Sequence, residues 1–89
     1  MRRADIIAKV RTFIATELLA DPDHPIADDE ALISGGLIDS FSLAYVAAFI
    51  EDAFGKYIPD SELNVEEFDT LAQIAARIEA ARPILRGKT

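Results

Sequence analysis

The chain contains no cysteine, which removes disulfides, thiolate-held metal and cysteine nucleophiles together. Histidine is nearly absent too: His24 is the only one, so imidazole chemistry has a single possible source. No apolar run approaches membrane-spanning length, and no long apolar region follows the charges of Met1-Arg2-Arg3-Ala4-Asp5 as a secretory signal would require. A cytoplasmic protein without membrane insertion is therefore expected. Strand-like alternation and internal repeats are missing as well. Bases are scarce in the middle of the chain: between Glu17 and Asp69 only Lys56 stands against fourteen acids, within a net charge of −7. Such a field repels nucleic acid and anionic membrane and favours partners with basic patches. The other bases gather at the ends, as Arg2, Arg3, Lys9 and Arg11, then Arg77, Arg82, Arg86 and Lys88.

What is present is enough apolar material for one core: 51% of 89 residues, one small domain too short for a deep-walled cleft. Ile6, Val10, Phe13, Ile14 and Leu18 share one helical face over about residues 3 to 20. Asp21-Pro22-Asp23-His24-Pro25 stops that helix, because each proline disfavours helical geometry before it. A long connection to about Ile38 follows, with Ile26, Leu32, Ile33 and Leu37 available to pin it and Gly35-Gly36 to turn it; loops of this length are usually functional. A second helix is predicted over 40–54, with Leu43, Val46, Ala47, Ile50 and Phe54 inward and Phe41, Tyr45, Ala48 and Asp52 outward. Gly55 ends it, and Tyr57-Ile58-Pro59 reads as an extended link. Asn64 caps a brief helix through about Phe68. Thr70 and Gln73 form a capping box for a last helix that buries Leu71, Ile74, Ala75 and Ile78. The expectation is an all-α fold, an antiparallel four-helix bundle of three main helices and a short third one, with a long loop between helices one and two. It occupies residues 1–82 and leaves 83–89 as a flexible tail.

Chemistry concentrates at Leu37-Ile38-Asp39-Ser40-Phe41, where the glycine-bearing loop turns into the second helix. Asp39 is a favoured helix cap, and Ser40 is placed in the first turn. Unpaired N–H groups and the helix dipole make that place receptive to a phosphate. A serine nucleophile would need a base and an oxyanion site, yet His24 lies in a proline-flanked loop and no Gly-x-Ser-x-Gly elbow surrounds Ser40. Ser40 thus reads as an attachment point. Ser42, with no preceding Asp, is the weaker alternative. The acids Asp21, Asp23, Asp28, Asp29 and Glu30 lack the alternation and central glycine of a calcium loop, so no metal site is expected. Gly87-Lys88-Thr89 imitates the end of a phosphate-binding loop, but the earlier glycine position holds Arg82 and no helix follows.

Leu32-Ile33-Ser34-Gly35-Gly36-Leu37-Ile38-Asp39-Ser40-Phe41-Ser42-Leu43 resembles the attachment region of acyl carrier proteins and the related peptidyl carrier domains. The likeness continues through Glu51-Asp52-Ala53-Phe54-Gly55, Ile58-Pro59-Asp60 and Phe68-Asp69-Thr70-Leu71, and so covers roughly residues 5 to 80. The resemblance implies a carrier that is not itself an enzyme. A phosphopantetheinyl transferase would move 4′-phosphopantetheine from coenzyme A onto the Ser40 hydroxyl, with magnesium belonging to the transferase reaction. The arm's thiol would hold an acyl or aminoacyl group as a thioester. Partners would be an acyl- or aminoacyl-activating ligase, a synthase or an acyltransferase, served by a monomer. Such carriers are recognised mainly on the second helix, which here offers Asp39, Phe41, Tyr45, Ala48, Glu51 and Asp52.

The departures from the family pattern bear on cargo. Phe41 stands where leucine is usual, and Ser42 and Tyr45 stand where the carriers of bulk fatty-acid synthesis commonly have acids. The resulting stripe is more apolar and less steered by charge, which points to a specialised carrier of an unusual acyl chain or an amino acid. Two other classes compete. One is a small acidic interaction module anchored by Phe41 and Tyr45 without modification; the other is a minimal hydrolase dependent on His24.

Overall fold

The computed structural model describes residues 2–84. Helix α1 spans Arg3–Phe13 and runs on into a single widened π turn, Ile14–Leu18. The Leu19 N–H donates to the Ile14 carbonyl five residues back (2.9 Å), and Ala20 leaves the helix in the left-handed conformation, φ 53°. The predicted face is inward: Ile6, Val10 and Ile14 are buried, with Phe13 and Leu18 half-buried against the core.

The long connection is held at both ends of its span. Ile26, Leu32 and Ile38 are buried, and Ile33 and Leu37 pack partly against the core. Arg11 of α1 donates to the Ile26 carbonyl (3.0 Å) and pairs with Asp28. The Asp28 carbonyl in turn accepts the Ala72 N–H (3.0 Å) from the last helix. A loop without regular structure is stable here because its apolar side chains and backbone polar groups find partners in two helices.

Helix α2 spans Ser42–Phe54, two residues later than predicted. Ahead of it, the carbonyls of Asp39, Ser40 and Phe41 accept from the N–H groups of Ser42, Leu43 and Ala44 at 3.1–3.2 Å, so Ser40 and Phe41 lie in a tighter i→i+3 turn. Leu43, Val46, Ala47 and Ile50 are buried as expected, whereas Phe54 is only half-buried. Its role is an aromatic contact that the periodicity does not reveal. Phe49 stacks on Phe13 with centroids 4.3 Å apart, and Phe54 meets Phe49 edge-on at 5.8 Å, so three rings join α1 to α2.

Gly55 ends α2 in the left-handed conformation, φ 64°. The extended link that follows is more than a link. Lys56–Tyr57 (β1) pairs antiparallel with Arg82–Pro83 (β2), a two-stranded contact that the sequence pattern does not predict. A short 3₁₀ turn, Asp60–Glu62, leads to helix α3, Val65–Phe68, where Asn64 Oδ1 accepts the Glu67 N–H (3.0 Å). Helix α4, Leu71–Ala80, opens with the predicted Thr70–Gln73 capping box. It packs chiefly on α1 and α3. Of the tail expected from Pro83, Pro83 itself is paired with Lys56 and the Ile84 N–H donates to the Gly55 carbonyl (2.8 Å). Residues 85–89, with the Gly87-Lys88-Thr89 imitation, lie outside the described residues.

The four helices enclose one core in which Val10, Ile14, Leu32, Val46, Ile50, Phe68, Leu71 and Ile74 are fully buried. Among the described residues no charged or polar side chain is buried with them. The helical bundle expected from periodicity is the architecture found.

Candidate functional site

The loop before α2 is shaped by close approach and by one reversed dihedral. A side chain at position 35 would place its Cβ 2.2 Å from the Ala31 carbonyl oxygen, so only glycine fits there. Gly36 has φ 81°, the conformation open to glycine, and its N–H donates to the Ile33 carbonyl (3.0 Å). The Leu32 carbonyl then accepts from both Leu37 and Ile38 N–H (2.9 Å each), closing residues 32–38 into a compact loop.

That loop delivers Asp39 and Ser40 to the surface. Asp39 Oδ1 accepts from the Ser42 N–H (3.1 Å) and the Ser42 hydroxyl (3.3 Å), the capping role assigned to it, although the bond closes the tight turn before α2. Ser42 is thereby engaged, while Ser40 is exposed. Among the described residues nothing accepts from the N–H groups of Ser40 or Phe41. Beside Ser40 lies an open groove of about 690 Å³, lined by Leu18, Ile33, Leu37, Val65 and Ser42 among others. Its lining has one carboxylate, Asp39, and no cation.

The other nominated residues flank this point. Phe41 is 84% exposed and Tyr45 64%, and Ala48 and Asp52 are exposed on the same side of α2; Glu51 is half-buried. His24 is not part of the groove lining: its Nδ1 lies 3.9 Å from Asp21 Oδ2 within its own loop. The structure brings Asp39, Ser40, Phe41 and Ser42 together and leaves His24 apart.

One residue near the site carries a role that the sequence does not show, although it stands within the Phe68-Asp69-Thr70-Leu71 landmark. Asp69, in the junction between α3 and α4, accepts at Oδ1 from the N–H groups of Ile33 (2.7 Å) and Ser34 (3.0 Å), and at Oδ2 from the Ser34 hydroxyl (2.5 Å). Its carbonyl accepts the Leu32 N–H (2.6 Å). The Ser34 hydroxyl first, then the Ser34 backbone N–H, hold the Asp69 carboxyl below its ordinary range against the opposing effect of burial, and the Ile33 N–H lowers it further. The signals available in the sequence were the place of Asp69 in that landmark and its position directly before the Thr70 cap. Leu18 and Val65, which line the groove, were likewise legible only as core-facing or cap-adjacent positions.

An exposed serine thus stands at a helix-entry turn of a small helical bundle, with free N–H groups and a groove beside it. The family described as phosphopantetheine attachment site matches residues 8–78, and the chain belongs to that family. It is also similar to a D-alanyl carrier protein of Lactobacillus acidophilus, 35% identical over 52 residues. That stretch is 58% of this chain and 66% of the relative, just under two thirds of its length. The group that the family carries is 4′-phosphopantetheine, covalently attached. The residues present suit it: an exposed hydroxyl, two unpaired N–H groups for phosphate oxygens, and an open groove alongside.

Proposed function

We propose that Ser40 is the residue to which 4′-phosphopantetheine is attached, and that the chain carries an aminoacyl group on it between separate enzymes. The exposed Ser40 hydroxyl, inside the family-matched segment and without a base of its own, is the observation that carries this reading. A phosphopantetheinyl transferase supplies the missing base. The Ser40 oxygen bonds to the coenzyme A phosphorus that bears the pantetheine, the pyrophosphate bond breaks, and adenosine 3′,5′-bisphosphate leaves while the hydroxyl proton passes to the transferase. The attached arm ends in a thiol that holds cargo as a thioester. The chain's own part is to present Ser40, to close the turn before α2 through Asp39, and to hold the tether, whose reach raises the local concentration of cargo at each partner. It performs no catalysis itself, and a monomer in the cytoplasm serves this role. Among the described residues no helix is long and apolar enough to cross a membrane.

An aminoacyl cargo is favoured over a fatty chain by the likeness to a D-alanyl carrier and by the apolar stripe where bulk fatty-acid carriers have acids. Partners are an aminoacyl-activating ligase and an acceptor enzyme, docking on Asp39, Phe41, Tyr45, Ala48, Glu51 and Asp52. The test is intact mass after incubation with coenzyme A and a broad-specificity transferase. One pantetheine adduct is expected on the wild type and none on Ser40→Ala; an adduct that survives the substitution overturns the assignment.

The exposure of Phe41 and Tyr45 supports recognition by burial of rings on a partner. Tyr45→Ala is expected to weaken charging by the partner ligase about tenfold or more while leaving the melt unchanged. Partner binding that ignores Ser40→Ala and pantetheine altogether, yet fails with Tyr45→Ala, would favour a plain interaction module.

A further inference from the structure

We propose that Asp69 is a positioning residue for the attachment site. Through the Ile33–Ser34 turn it sets where the Ser40 hydroxyl stands when the transferase engages it. The inference rests on Ser40 being the modified residue.

Residues 32–38 behave as one piece, because the Leu32 carbonyl accepts from Leu37 and Ile38 and the Ile33 carbonyl from Gly36. Ile38, the last residue of that piece, is followed directly by Asp39 and Ser40. Leu32 and Ile38 are buried and anchor the piece to the core, while hydrogen bonds, being directional where apolar burial is not, orient it more sharply. Direction comes from Asp69, which supplies four acceptor contacts to it: the carbonyl to Leu32 N–H, Oδ1 to Ile33 and Ser34 N–H, Oδ2 to the Ser34 hydroxyl. Asp69 is itself anchored. Its N–H donates to Gln73 Oε1 (3.0 Å), which also takes the Thr70 N–H (3.1 Å) in the capping box of α4. A continuous set of hydrogen bonds thus leads from the start of α4 to the residue two places before Ser40. Its carboxylate is held ionised by these same donors, so the clamp is intact at neutral pH.

Misplacing a reacting hydroxyl by about an ångström costs up to roughly a hundredfold in rate, and this loss falls on the chemical step rather than on docking. The α2 face that docks does not include Asp69. The experiment compares transferase loading of the wild type, Asp69→Ala, Asp69→Asn and Ser34→Ala, with Ile74→Val as a variant that lowers stability without touching the clamp. For Asp69→Ala the expected result is kcat lower by about tenfold with the KM for the carrier within about twofold, and substantial rescue in Asp69→Asn, whose Oδ1 still accepts two N–H groups. On the unloaded proteins, amide exchange should quicken at least about tenfold at Ile33, Ser34, Leu37 and Ile38 but not at Val46 or Ile50. Unchanged kcat in Asp69→Ala, or an equal loss in Ile74→Val, overturns the proposal. If Asp69→Ala does not fold, Ser34→Ala decides: it keeps both backbone bonds, and a kcat equal to wild type together with unchanged exchange at Ile33 overturns the proposal. A wild type that takes no adduct overturns the assignment of Ser40 itself, which is a different result from a wild type that loads and an Asp69→Ala that loads equally well.

Discussion

At the scale of single residues, the site depends on small groups placed where larger ones do not fit. Gly35 lies so close to the Ala31 carbonyl oxygen that any Cβ overlaps backbone, which cannot swing aside as a flexible side chain can. Gly35→Ala is therefore expected to destabilise the fold by about 1–3 kcal/mol in a denaturant melt, with the largest amide shifts in residues 31–38. Ser40 and Ser42 show how two hydroxyls two positions apart acquire different fates. The Ser42 hydroxyl and N–H are both engaged by Asp39, whereas Ser40 faces solvent beside the groove. The reading of Ser40 as the stronger candidate came from the residue before it. Its exposure follows from the i→i+3 turn, which no local pattern distinguishes from the opening of an α-helix.

Between elements, the Asp69 contacts join the α3–α4 junction to the loop that leads into α2. Because this carboxyl is held below its ordinary value of 3.8, its contribution to stability is fully present above that value and is lost as pH falls through the lowered one. The stability difference between wild type and Asp69→Asn should be constant from neutral pH down to about pH 5 and shrink below about pH 4, as read from urea melts across that range. A difference that grows with acidification would contradict the direction of the shift. The Arg3–Glu79 pair also lowers a carboxyl, that of Glu79, through its hydrogen bond to Arg3. Both groups are solvent-exposed, so that pair adds little to stability. The Thr70–Gln73 capping box, the Asn64 cap and the helix faces were legible from sequence at this scale, because their partners lie three or four residues apart. The β1–β2 pairing was not, since two residues per strand carry no periodicity.

For the molecule as a whole, one core carries most of the stability, and its layers are unequal. Ile50 is fully buried, whereas Phe54 sits half-buried at the edge of an aromatic trio with Phe13 and Phe49. Ile50→Ala is expected to cost about 2–5 kcal/mol in an equilibrium melt, and Phe54→Ala clearly less than the upper end of that range despite the larger side chain. Equal losses would mean that Phe54 is as deeply packed as Ile50. The chain carries a net charge of −7, and Asp52 of α2 and Glu66 and Glu67 of α3 are among the acids exposed around this core.

The sequence by itself determined the order of the helices, most of their buried positions and the Asn64 and Thr70–Gln73 caps, because these follow from apolar spacing and from hydrogen bonds between near neighbours. Tertiary structure alone decided that Asp69 clasps Ser34 across 35 positions, that three aromatic rings join α1 to α2, and that Arg82–Pro83 returns to Lys56–Tyr57. Those contacts unite residues remote in the chain. They exist only once the helices have packed, since the helix orientations, and not any local preference, bring the partners within bonding distance.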